Sequence, residues 1–360
     1  MAPICSIFSK LESIFCTFLA ENTFVNALIP FIEVRRIVLV LLTLFLVGAA
    51  SAHGDSHLLY FEAQGVAGYS SSQGKPIYYS MNPDAEMQKP SLGFDYLHRF
   101  SGEGGDWGSL GLQGRLALIA DNDGVKRVEP QAYNAWFKVK TPWTDVWLGH
   151  NRPALGLGSY FDSHPLILRT LPIQGFGYDR DWGVGSYRDF SWGNLQLSAT
   201  TGSGMPVYFK GNYLLAGRVS YGVLNEENYT LGLSAGYGRT LDTMGYKLRE
   251  PDPKNMRFFG TDFAYLRDNL EHRFDLFAGE WLGVDTVAAM YRLSFLFGPE
   301  QRLKIEAQPT YWHSGGENWL MSLCFSALVT PDLTFRTMYE FDRSGDDHRV
   351  IVQLYYYKPL

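Results

Sequence analysis

From Gln301 to Leu360 nearly every second residue is apolar, and the residues between are polar or charged. In one segment Leu303, Ile305, Ala307, Pro309 and Tyr311 fall on one face, with Arg302, Lys304, Glu306, Gln308 and Thr310 on the other. A second segment sets Leu333, Phe335, Tyr339 and Phe341 against Thr334, Arg336, Glu340 and Asp342. Side chains alternate faces along a strand, so each segment has one greasy side and one wet side. A soluble sandwich would turn the greasy side to a protein core. An export signal at the front and the order of the connections point instead to an antiparallel transmembrane β-barrel whose wet side lines a lumen.

Ile37 to Val47 is apolar apart from Thr43, with Arg35 and Arg36 before it and Gly48-Ala49-Ala50-Ser51-Ala52 after it. A basic flank, a short apolar core and a small-residue site read as a secretory signal peptide. Cleavage is expected after Ala52, leaving a barrel domain of residues 53–360. The run is too short for a spanning helix, which needs about 20 apolar residues. Residues 1–34 are an unusual leader, carrying Glu12, Glu21 and Glu33, and a true start at Val34 would account for them. Beyond the signal no apolar stretch approaches helix-spanning length, so the membrane-embedded form must be built of strands. The chain carries a formal charge of −6, which argues against nucleic acid as a partner. Only Cys324 survives cleavage, so no intrachain disulfide can form, and no Cys-x-x-Cys-His element is present to attach a haem.

Alternation and turn residues together predict sixteen strands, near residues 57–69, 91–100, 108–120, 129–140, 143–149, 182–190, 193–202, 213–222, 229–240, 256–267, 272–282, 285–297, 301–313, 318–329, 333–343 and 348–358. An even count puts both termini on one side of the membrane, and outward links can then be long while inward links are tight. Ser70 to Pro90, His150 to Asp181, Ser203 to Asn212 and Leu241 to Asn255 are the long links. Thr141-Pro142, Ser191-Trp192, Gly298-Pro299-Glu300 and Thr330-Pro331-Asp332 are the short ones.

At this level the chain resembles Gram-negative outer-membrane porins, most nearly the phosphate- and pyrophosphate-selective group. Val146-Trp147-Leu148-Gly149 leading into His150-Asn151-Arg152-Pro153-Ala154-Leu155-Gly156 is similar to the element that opens that group's inward loop. Arg180-Asp181-Trp182-Gly183-Val184 is similar to the element that closes it. The resemblance implies a water-filled channel for small hydrophilic solutes or ions in a bacterial outer membrane, with the long link between strands five and six folded into the lumen. It also implies contact with outer-membrane lipid and lipopolysaccharide, and delivery by the barrel assembly machinery. Two departures stand out. The dense lysine ladder behind phosphate selectivity is absent, and the last residue is Leu360 rather than Phe or Trp. Phosphate selectivity is therefore not carried over.

If the apolar set faces lipid, where a charge at mid-depth costs about 2–4 kcal/mol, parity assigns the lumen wall. It receives Arg115, Lys138, Arg218, Arg292, Arg302, Lys304, Arg336 and Arg349, with Glu62, Asp262, Asp275, Glu306, Glu340 and Asp342. Opposed acids and bases across a constriction set up a transverse field; the plainer reading is that they pair along the wall. The inward loop adds Arg152, Asp162, His164, Arg169, Asp179, Arg180 and Asp181. Arg152, Asp162, Arg169, Arg180 and Asp181 are the constriction candidates, or else anchors of the loop to the wall. Gly156, Gly158, Gly175 and Gly177 supply the positive φ that a folded-in loop needs. Trp143, Trp147, Trp182, Trp192, Trp281, Trp312 and Trp319 lie near strand ends, where indoles suit the headgroup level; any that point inward could instead stack a sugar.

Catalytic chemistry finds little support. Asp346-Asp347-His348 could activate water but reads more simply as a turn, and no Gly-x-Ser-x-Gly element is present. His98, His150, His272 and His313 lack metal-ligand spacing, and Asp121-Asn122-Asp123-Gly124 reads as a turn rather than a calcium loop. No enzyme activity, cofactor or metal is expected. A different class of function, a structural barrel that sheathes or anchors a periplasmic electron-transfer or secretion partner, depends on whether the lumen is open. Barrels of this strand number commonly form homotrimers, and the small outward residues Ala199, Gly217 and Ala235 on strands seven to nine offer a contact patch.

Overall fold

The computed structural model describes residues 56–85, 88–121, 124–161 and 166–360. The signal segment and the start at Val34 lie outside these residues, as do Asn122, Asp123, Asp162 and His164. The strands are β1 (Ser56–Ser70), β2 (Lys75–Ile77), β3 (Ser91–Gly102), β4 (Gly105–Asp121), β5 (Gly124–Lys140), β6 (Asp145–Asn151), β7 (Asp181–Phe190), β8 (Gly193–Thr200), β9 (Tyr213–Tyr221), β10 (Tyr229–Met244), β11 (Lys247–Arg267), β12 (Leu270–Trp281), β13 (Val284–Phe297), β14 (Leu303–Ser314), β15 (Glu317–Thr330), β16 (Leu333–Asp342) and β17 (Asp347–Pro359). Strand β2 is a short flap on the end of β1. The other sixteen each pair antiparallel with their chain neighbours, and β1 pairs with β17 to close the barrel. The seam is long and regular, from Tyr60 opposite Pro359 to Ser70 opposite Arg349. Closure leaves no free edge, which is what a sheet in hydrocarbon requires. Among the described residues no helix is long and apolar enough to cross a membrane.

The sixteen sequence segments correspond one to one with these strands. Their ends differ most on the rim that carries the long loops. Residues 241–255, expected as a loop, mostly extend β10 and β11 into a hairpin that turns at Gly245-Tyr246. Strand β5 likewise begins at Gly124 rather than near 129. Such extensions need no apolar face, because strands standing clear of a membrane can be wet on both sides.

Outside, the wall is apolar: Leu92, Leu116, Leu148, Leu233 and Phe259 are all exposed, Phe259 to 77%. Inside, Glu62, Arg115, Arg218, Asp262, Arg292, Glu306 and Glu340 are buried. The inner face is not wholly polar, however. Val66, Cys324, Met338 and Ile351 make one greasy patch, covered by Ile77, Tyr79, Ile167 and Leu168. Leu214, Met256, Phe258, Phe277, Trp281 and Met290 make another, covered by Leu155, Leu157, Leu171 and Phe176. The covering residues come from loops, so the barrel holds a core of its own.

Candidate functional site in the barrel interior

Residues 152–180 join β6 to β7, the fifth and sixth wall strands, and their bonds trace a path across the interior. The Ala154 amide donates to Ser198 Oγ on β8 (3.0 Å), Gly156 to Ser234 Oγ on β10 (3.0 Å), and Leu157 to Asp275 Oδ2 on β12 (3.2 Å). Further along, Arg292 of β13 donates to the Leu168 carbonyl (3.4 Å) and Gln308 of β14 to the Arg169 carbonyl (2.7 Å). A single helical turn, α1 (Leu171–Gln174), is capped at its start by Thr170. Trp281 Nε1 then donates to the Gly175 carbonyl (3.0 Å), and the Tyr178 hydroxyl to the Leu241 carbonyl (2.6 Å). Burial pushes the Tyr178 phenol above its usual range, so it stays a donor. Of the loop glycines, Gly156, Gly175 and Gly177 take positive φ and Gly158 does not.

A second loop, expected among the outward links, folds in as well. Residues 71–90 send Gln88 to the Leu166 carbonyl and to Ser80, while Gln64 of β1 holds the Lys89 carbonyl (2.8 Å). Lys89 is itself buried, donating to the Pro83 carbonyl (3.0 Å). The two loops and the wall meet at Arg169. Its guanidinium binds Glu340 of β16, the Ser80 carbonyl (3.3 Å) and Gln174 Oε1 (3.0 Å), and both charged side chains are almost wholly buried. Burial lowers the Arg169 pKa and the Glu340 carboxylate opposes that shift. Arg349 adds a second tie, donating to the Ser80 and Met81 carbonyls while pairing with Asp347 (2.5 Å).

The other constriction candidates have distinct placements. Arg152 donates to the Tyr160 carbonyl (3.3 Å) beside a cavity. Arg180 is fully buried between Asp179 (3.0 Å) and Asn134 (2.8 Å), over the Tyr133 ring. Asp181 accepts from Thr201 Oγ1 (2.8 Å) and from the amides of Trp182 (2.9 Å), Gly202 (2.7 Å) and Gly204 (3.1 Å). Arg180 and Asp181 therefore tie the end of the loop down.

On the wall, Arg218 and Asp262 form a wholly buried pair at 2.6 Å, and Asp275 stands in register opposite Asp262. Arg115 and Arg292 donate to Gln131 (2.8 Å) and Gln308 (2.7 Å), and Arg336 to Gln353 (2.9 Å). Glu62 is buried within reach of Gln113, and Asp342 caps the turn at Ser344 (2.9 Å). Lys138 pairs with Asp145 (3.2 Å), and Lys304 bridges Glu271 (3.0 Å) and Glu306 (2.9 Å). Arg302 departs from its expected place. Strand β14 starts at Leu303, so Arg302 sits on the exposed turn before it and pairs with Glu300. Asp347 and His348 point to opposite faces, one held by Ser70 (2.8 Å) and the other tilted over the Phe341 ring (centroids 4.7 Å apart), so they do not form a catalytic pair. Among the described residues no group of side chains is arranged to hold a metal ion.

The indoles divide. Trp143, Trp192 and Trp319 are exposed on the outer side, while Trp147, Trp281 and Trp312 turn inward. Two interior cavities flank the loop. One of about 470 Å³ is lined by Trp136, Trp147, Tyr160 and Tyr187; the other, about 220 Å³, by Tyr178, Arg180, Met205 and Leu241. They share no lining residue. Outside, an apolar groove of about 910 Å³ runs from β6 to β13 over Ala199, Gly217 and Ala235.

The buried apolar patches on the inner wall had a signal. Val350-Ile351-Val352 breaks the alternation, and Met338 and Cys324 put non-polar groups on inward parity. Such breaks mark where loops land.

No protein-family model matches the sequence, and no curated protein matches it. Solved structures do. OmpT, an outer membrane protein of Vibrio cholerae, superposes with a TM-score of 0.59 at 11% identity over 86% of this chain and 99% of that one. The fold is that of the outer-membrane porins. Salmonella typhi OmpF, solved with daunomycin, gives 0.58 at 11% identity over 84% and 98%. An anion-selective porin from Comamonas acidovorans gives 0.56 at 13% over 85% and 100%. At these identities the likeness concerns the fold alone.

Proposed function

We propose that this porin-fold barrel is a passive channel of a bacterial outer membrane, passing small hydrophilic solutes or ions down their gradients. One observation carries the reading: the wall is apolar outside and lined inside by charged and amide side chains. An apolar outer belt around a polar inner face is the pattern of barrels that hold water in the lumen. In this reading the rim with the long loops faces outward, the N-terminal segment is a cleaved signal, and residues 152–180 with residues 71–90 form the constriction. Arg152 faces the solute path, and Asp162 belongs to the same loop. Arg169, Arg180 and Asp181 hold the loop in place. Wall cations and acids are interleaved, so strong phosphate selectivity is not part of the proposal. The outer groove over Ala199, Gly217 and Ala235 supports a homotrimer contact there, since small residues permit close approach.

The close packing of both loops against the inner wall favours a second reading, a plugged barrel that anchors a periplasmic partner. Single-channel conductance of the folded protein in planar bilayers separates the two. Discrete steps support the channel. Silence from a protein shown to be folded overturns it and leaves the anchor.

A further inference from the structure

The larger interior cavity has an aromatic floor. Trp136 on β5 and Trp147 on β6 lie on the same inner face: Gly149 is in register with Trp136 and Lys138 with Trp147, so the two indoles are diagonal neighbours. Each rests over a glycine of an adjacent strand, Gly111 of β4 under Trp136 and Gly185 of β7 under Trp147. A Cβ on Gly111 would come within 2.5 Å of the Trp136 ring, and one on Gly185 within 2.5 Å of the Trp147 ring. With no side chain between ring and backbone, each indole lies against the wall beside the cavity that both line. Tyr160, from the inward loop, and Tyr187 add phenols, while Asn151 and Gln196 add amides. The charges at the site are engaged with protein: Lys138 with Asp145 (3.2 Å), Arg152 with the Tyr160 carbonyl (3.3 Å), and Asp95 with the Tyr357 hydroxyl (2.9 Å). A volume of about 470 Å³ lies within the usual range for small-molecule sites, about 300–1,000 Å³.

A ligand suited to this cavity is neutral, rich in hydroxyls and apolar on one face. Those are the properties of a pyranose ring, whose C–H hydrogens sit well on the negative face of an indole while its hydroxyls meet amides and phenols. We propose that the cavity is a saccharide-binding subsite, with Trp136 and Trp147 as its stacking platform. The proposal deepens the channel reading and rests on it only for the route by which a sugar arrives.

The test uses the folded full-length barrel with maltose as probe and mannitol, an acyclic polyol with no ring face, as control. In planar bilayers maltose should reduce the ion current saturably and mannitol should not. Trp136→Ala should weaken half-saturation by roughly two- to twelvefold, the loss expected for one aromatic contact. Should Trp136→Ala fail to fold, Gln196→Ala, which removes an amide of the same cavity, provides the second variant and should weaken maltose block in the same direction. Equal effects of maltose and mannitol, or maltose block unchanged in Trp136→Ala, would overturn the subsite. If the barrel does not conduct at all, the channel reading falls, and a maltose titration followed by tryptophan fluorescence decides the subsite separately. A saturable change lost in Trp136→Ala keeps it, and no change removes it.

Discussion

Replacing Arg169 by alanine tests the inner architecture at its most connected point. The substitution strips Glu340 of its main partner at a position with no solvent access. Breaking a buried ion pair by removing one member costs about 3–5 kcal/mol. Here Glu340 keeps Ser322 at 3.2 Å and Arg349 at 3.6 Å, which argues for the lower end, about 3 kcal/mol. The same guanidinium holds the Ser80 carbonyl and Gln174, so the loss falls on the seating of both loops rather than on the strands. A shift of that size raises the unseated population by roughly a hundredfold. Conductance recordings should then show larger or noisier steps than the parent, while the closed barrel still migrates as a folded species before heating. The double variant Arg169→Ala with Glu340→Gln should recover part of the loss, because the orphaned charge is gone. Conductance and melting temperature both indistinguishable from the parent would refute the reasoning.

Other perturbations bear on separate parts of the molecule. Asp181→Asn places an amide where only an acceptor fits among the Gly202 and Gly204 amides, at about 1–3 kcal/mol per unmade bond; hydrogen exchange at residues 201–204 should accelerate markedly, and unchanged protection would count against the anchor role. Gly149 sits at φ 122°, and a Cβ there would lie 2.2 Å from the Ala135 carbonyl oxygen, so Gly149→Ala should sharply reduce the yield of folded barrel on refolding gels. Lys304→Met removes the cation that bridges Glu271 and Glu306, and the reversal potential under a salt gradient should move toward cation preference. A move toward anion preference would show that this wall does not govern passage.

Much of the barrel was legible because one face of each strand must tolerate lipid. That requirement writes a period of two into the chain, as in Val350, Val352 and Leu354, and strand number and order follow from it. Where the requirement lapses, so does the signal: Arg249, Glu250, Asp252 and Lys254 look like a loop yet belong to β11. Trp147 is inward by parity, since Val146 and Leu148 flank it on the outward side, although an indole near a strand end suits the headgroup level equally well. The loop seating was not readable. Arg169 and Glu340 are separated by 171 positions, and nothing local tells either residue of the other. The infolding of residues 71–90 was hidden for the same reason, being fixed by Gln88 and Lys89 through contacts with main-chain carbonyls that any sequence possesses.

The position of the Arg169 junction also orders events in time. Residues 152–180 are bonded mainly to strands that follow them in the chain, as far as β16, and to a loop beside the β1–β17 seam. The partners on β8, β10 and β12 come earlier in the chain, whereas Glu340 is in place only once β16 has been added. The Arg169 junction is therefore among the last ties that chain order allows the loop to make, after its amide bonds to β8, β10 and β12 already have their acceptors.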